Sequence, residues 1–173
     1  MLLPFRKEKR SRAERLPRVM RALDMLINEE RTCNRDRDRD LDEDYDYIRD
    51  AARSAKVLAA RRKLDPDLAA IASVLQNIGR ITTGRHEGHA EAGYAPSKRL
   101  LSSLGCFESE EIEQIAIAVR NHSRRDIARS PLEEIVKDVD VYVRYLQGTQ
   151  FTDSFDLVRL NGIQLELQTR PRR

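Results

Sequence analysis

Three histidines, one inward-pointing carboxylate and an adjacent pair of amides are the residues whose types and spacing could support chemistry. His86, His89 and His122 all fall in the middle third of the chain, at or near the ends of expected helices. Taken singly, a histidine at such a position is usually a partly exposed residue or a favourable charge at a helix C-terminus. Asp140 is more telling. It lies four residues after Val136 and three before Val143, both on an apolar stripe, so its carboxylate is expected to point inward. A buried carboxylate is costly unless it is paired or metal-bound. The ordinary solution is an arginine from another helix, and 32 Lys and Arg residues make that easy. Asp138 is expected with Glu134 on the opposite, polar side. Gln76 and Asn77 end a mostly apolar helix, where two amides must find hydrogen bonds. In the plainest case one faces solvent and the other caps a neighbouring helix.

The elements that must position these groups read as helices. Leu16, Val19, Met20, Leu23, Leu26 and Ile27 recur at helical spacing over residues 16–30. Residues 34–46 alternate charge and have no face to bury, so a solvated loop or connector is expected there. A helix follows over 47–62. Asp65-Pro66-Asp67 starts another, with Asp as N-cap and Pro at the first helical position, and it runs through Ile78 to stop at Gly79. Further helices are expected over 89–104, ending at Gly105, and from Ser109 to near His122. Ser130-Pro131-Leu132-Glu133 is a capping box, opening a helix that runs to Gly148. Residues 151–167 fit a short helix or a small hairpin around Asn161-Gly162. The expected fold class is all-α, a compact bundle of about six helices.

At 173 residues the chain suits one domain, read as residues 16–168 between a basic flank at 1–15 and a basic tail at 169–173. Aromatics make up only 5% and Trp is absent, so the core must be built from Leu, Ile, Val and Ala. The net charge is only +3, but Arg6, Lys7, Lys9, Arg10, Arg12, Arg15, Arg18 and Arg21 crowd one end. Such a run could touch nucleic acid or an anionic surface. It carries no interleaved stacking aromatics, so a nucleic-acid partner is not expected. Cys33 and Cys106 are too few for a disulfide framework, which suits a reducing cytoplasm. No apolar run approaches a membrane span, and no membrane association is expected. Tyr142, Tyr145, Phe151 and Phe155 offer a surface that could support a homodimer.

Four segments, in order, resemble the HD superfamily of metal-dependent phosphohydrolases. Leu75-Gln76-Asn77-Ile78-Gly79-Arg80 resembles that family's Leu-His-Asp-Ile-Gly-Arg segment. Glu87-Gly88-His89-Ala90-Glu91-Ala92-Gly93 resembles its Glu-Gly-His segment. Ile117-Ala118-Val119-Arg120-Asn121-His122-Ser123 resembles its Ile-Xaa-Xaa-His-Ser helix end, and Lys137-Asp138-Val139-Asp140-Val141 its Lys-Asp-Ala-Asp-Val segment. The likeness covers roughly residues 45–146. It implies an HD-type helical fold and aligns Tyr47, Gln76, Asn77 and Asp140 with the four primary metal ligands, with Asp138 as a rival for the last. The departures bear on function. Tyr47 is protonated at neutral pH, and Gln76 and Asn77 offer only neutral carbonyl oxygens. Three of the four ligand positions are thus degraded. The expectation is a non-catalytic domain without a cofactor, binding a nucleotide, another phosphorylated ligand or a protein partner, with Arg80, Arg124 and Arg125 as phosphate contacts. Alternatively His89, His122 and Asp140 form a shifted site for a divalent metal (Mn, Fe, Mg or Zn), and the chain is an active phosphohydrolase. A nucleic-acid-associated helical protein stands third. His86 has no clear family role.

Overall fold

Polar caps and apolar stripes start and stop most helices where the sequence places them. The computed structural model describes residues 13–33 and 35–168, so the basic tail, Asn34 and most of the basic flank lie outside the described residues. The described part is all-helical, with no strand. It has nine helical segments, of which seven have ten residues or more: α1 Arg15–Thr32, α2 Leu41–Arg61, α3 Pro66–Leu75, α4 Ile78–Thr83, α5 His89–Ala92, α6 Tyr94–Leu104, α7 Ser109–Asn121, α8 Pro131–Leu146 and α9 Ser154–Gln168.

Asp65 caps α3 through Asp67 N and Leu68 N, with Pro66 behind it. Ser130 and Glu133 form the reciprocal capping box of α8, and Gly105 ends α6 in a left-handed turn. Buried Leu, Ile, Val and Ala from α1 to α9 join one core cluster. The long helix α8 lies against α2, α3, α7 and α9, which puts both faces of its carboxylate-bearing turn in contact with other elements.

Several boundaries differ from the sequence expectation. Residues 34–46 are not merely a solvated connector: Asp40 caps α2, which begins six residues early, at Leu41, and Asp44 in its first turns is 1% exposed. The helix expected to run to Gly79 breaks at Gln76-Asn77 and resumes as α4, ending at Gly84. The apolar pattern continues across that break, so periodicity could not reveal it. The helix expected over 89–104 is interrupted at Gly93. Glu108, not Ser109, caps α7, with Glu111 completing the box. Residues 154–168 form a helix, and Asn161-Gly162 lies within it rather than in a hairpin. Arg15, placed in the basic flank by sequence, opens α1, is 6% exposed and pairs with Glu111.

Gly79 has a packing role in place of a stop signal. A Cβ there would lie 2.0 Å from the His89 carbonyl oxygen and 2.6 Å from the Gly93 amide nitrogen. Helix α4 therefore rests backbone to backbone on α5, which fixes where His89 stands.

Candidate functional site

The break between α3 and α4 turns Gln76 and Asn77 toward the carboxylate-bearing turn of α8. Gln76 Nε2 donates to Asp140 Oδ1 at 2.6 Å, and Tyr47 Oη, from α2, donates to the same oxygen at 3.3 Å. Arg125, from the loop between α7 and α8, donates through Nη2 to Asp140 Oδ2. Its Nε donates to Asp156 Oδ1 at 3.0 Å. Asp156 is itself fixed in the first turn of α9, which Asp153 caps through the amides of Phe155 and Asp156. Arg144 approaches both Asp140 and Asp156, at 3.8 and 3.4 Å.

Of these groups Tyr47, Arg125, Asp140, Arg144 and Asp156 border a cavity of about 700 Å³, of a size that suits a small ligand. Arg39, Arg80, Arg125 and Arg144 line it, together with His86, His89, His122, Asn77, Ser123 and four carboxylates, Glu43, Asp46, Asp140 and Asp156. The Asn77 side chain, 5% exposed, makes no hydrogen bond among the described residues. At the site, buried Gln76 Oε1 and Arg125 Nη1 are also without a hydrogen-bond partner among the described residues.

The three histidine rings touch in series. His86 lies on His89 with ring centroids 4.9 Å apart, and His89 meets His122 edge-on at the same separation. His89 Nδ1 lies 2.6 Å from the His86 carbonyl and His122 Nδ1 lies 2.6 Å from the Val119 carbonyl. A carbonyl only accepts, so both Nδ1 atoms carry the proton and both Nε2 atoms present lone pairs. Those lone pairs face each other at 3.1 Å, an approach that repels unless a proton or another cation lies between them. Burial works against the proton. It pushes His122 down to about 4, and lowers His89 and His86 in the same direction.

This shift makes a stability statement. Between about pH 4 and 6.5 the unfolded chain takes a proton at His122 that the folded chain refuses, so stability is full above 6.5 and falls as pH drops through that window. By pH 5 the loss from His122 alone is about 2 kcal/mol. Urea unfolding at pH 7 and pH 5 should show that loss in the wild type and a correspondingly smaller one in His122→Phe. An equal fall in both proteins would sink the assignment.

The carboxylate titrates the other way. Burial opposes its ionisation, but Arg125, helped by His122 and Arg144, outweighs burial and holds Asp140 below the usual carboxylate range. Burial and then the Asp140 charge raise Tyr47 well above its ordinary value, so the phenol stays a donor.

The sequence-predicted residues are thus partly gathered. Tyr47, Gln76 and Asp140 meet directly, while Asn77, Arg80, Arg125, His89 and His122 border the same cavity. Arg80 reaches it with its guanidinium already bonded to Asp44. Arg124 is exposed and outside the lining, so its expected phosphate contact is not supported. Asp138 is not on a polar outer face. It is 8% exposed, clamped by Arg62 and Arg159 at 2.7 Å each, and lies outside the cavity lining. Of the residues expected at a homodimer surface, Tyr142 packs on the core, Phe151 lies under Arg144, and Tyr145 and Phe155 are exposed. Asp156, Asp44, Arg39 and Arg144 were missed, because nothing local in the sequence ties them to residues tens of positions away.

The metal that the family resemblance implies needs lone pairs converging on one point. Asp140 instead faces three donors, from Tyr47, Gln76 and Arg125, so the four aligned positions do not fit a divalent cation. His89 and His122 converge, but among the described residues no three His, Cys, Asp or Glu side chains gather as a metal site. No helix of the described residues is long and apolar enough to cross a membrane. Comparison with family models, curated proteins and solved structures returns no match.

Proposed function

We propose that this chain is a degenerate HD-type domain whose former metal site is a pocket for a phosphorylated small molecule, such as a nucleotide, bound without catalysis. The observation that carries this is the pairing of Asp140 with Tyr47, Gln76 and Arg125, which satisfies the carboxylate with the protein's own donors. The cavity beside it supports the same reading. Among the described residues Arg39 forms an ion pair with the exposed Glu43, a weak surface pair that a ligand phosphate can displace. Asn77 holds an uncommitted amide in the lining. Arginine forks suit phosphate oxygens.

Calorimetric titration with inorganic phosphate, AMP and ADP in the presence of EDTA tests it. At least one should bind the wild type, and Asn77→Asp, which adds a negative charge to the lining, should weaken that binding by about tenfold or more, on the order of 1.4 kcal/mol. Absence of binding by all three at millimolar concentration would remove this function.

The facing Nε2 atoms of His89 and His122 favour a second reading, in which a divalent cation sits on that pair and the chain is a phosphohydrolase. Metal content of the purified protein and phosphatase turnover in added manganese decide it. Neither metal nor turnover leaves the non-catalytic pocket.

A further inference from the structure

Arg125, in the cavity lining, is held at two points. Its side chain bridges two buried carboxylates from different helices, Asp140 of α8 and Asp156 of α9, and its own side chain is only 12% exposed. Asp156 is held in turn by the capped first turn of α9. The two carboxylates and the two guanidiniums of Arg125 and Arg144 balance in charge, so Asp140 has no need of an added cation. Arg125 Nη1 remains buried and without a hydrogen-bond partner among the described residues.

We propose that Arg125 is the resident cation of this site: its guanidinium holds the position on Asp140 that a divalent ion would take, so metal is kept out by a side chain of the protein and not only by the loss of ligands at Tyr47, Gln76 and Asn77. The comparison with a metal position rests on the HD-type reading above; the role of Arg125 as counter-charge to Asp140 does not. A guanidinium fixed at two points cannot leave as a hydrated ion can, so restoring ligands alone does not reopen the site.

Calorimetry with Mn²⁺ on the full chain tests this with two variants measured against the wild type. One is Tyr47→His/Gln76→His/Asn77→Asp with Arg125 kept; the other adds Arg125→Ala. The second should bind one equivalent of Mn²⁺ beyond the wild type, at least tenfold tighter than the first. Equal added binding by both overturns the role of Arg125 and upholds the HD-type reading. No added binding by either overturns that reading and the metal comparison with it. Arg125→Ala alone gives an arm independent of family. Millimolar methylguanidinium should raise its melting temperature, and not that of the wild type, because a cation refills the position on Asp140. No selective gain overturns the counter-charge role. If Arg125→Ala does not fold, Arg125→Lys is used, which keeps the charge without the two-point fork; it should gain more from methylguanidinium than the wild type does, and an equal response counts against the proposal.

Discussion

Gly79→Ala is expected to cost about 3–5 kcal/mol, much of the stability of an ordinary domain. The added Cβ meets backbone, not a side chain that can turn away: the His89 carbonyl oxygen at 2.0 Å and the Gly93 nitrogen at 2.6 Å. Relief requires α4 and α5 to separate, and α5 carries His89. The variant should therefore lose the ligand affinity of the cavity along with stability. Gly162→Ala is the matched control. It lies exposed inside α9 with nothing within 4 Å of its Cβ, so alanine should stabilise by up to about 1 kcal/mol through helix propensity. Urea midpoints for the two variants give the comparison, and similar midpoints would contradict the close approach of α4 to α5.

The second large effect is expected at Asp44. This carboxylate is 1% exposed and accepts from Arg80, itself 6% exposed. Burial raises the pKa of Asp44 and the Arg80 charge only partly offsets it, as expected for an ion pair withdrawn from water. Removing one member strands the other. Asp44→Ala should cost about 3–5 kcal/mol, whereas Asp44→Ala/Arg80→Met should recover most of it because no charge is left buried. A double variant whose loss equals the sum of the losses of Asp44→Ala and Arg80→Met measured singly would show that the pair is not coupled. The same cycle bears on the cavity. Arg80 lines it but is already committed to Asp44, so the double variant should bind phosphate compounds less weakly than loss of an arginine alone would suggest.

What the sequence made legible was what adjacent residues decide. Asp65-Pro66 and Ser130-Pro131-Leu132-Glu133 set helix starts because a cap satisfies amides two or three residues away. Asp140 was placed inward by its spacing from Val136 and Val143, and it is 8% exposed. The same spacing argument failed for Asp138, because α8 is enclosed on more than one side, and Arg62, just past α2, and Arg159 of α9 make a second buried face habitable for a carboxylate. The break at Gln76-Asn77 was hidden under a continuous apolar pattern. In α9 apolar residues lie all around the helix, with Val158 and Leu165 well exposed, so no stripe distinguished helix from hairpin. The pairings that define the site, Arg125 with Asp156 and Arg80 with Asp44, join residues 31 and 36 positions apart and leave no local trace.

The alternating charges of residues 35–40 have a consequence for access to the cavity. Arg37 Nη1 donates to the Ile81 carbonyl, Asp38 N donates to the Gly84 carbonyl, and Asp38 accepts from Arg85 and from the His86 amide. This strap ties the loop that carries His86 to the segment that carries Arg39, both of which border the cavity. Its ion pairs with Arg85 are exposed, unlike those of Arg125 and Asp140 below. Mobile ions screen exposed pairs over about 8–10 Å at physiological strength and buried ones far less. The exposed strap and the buried part of the lining therefore answer differently to the electrolyte around the protein: the ion pairs of the strap weaken as ionic strength rises, while the pair of Arg125 and Asp140 keeps its place.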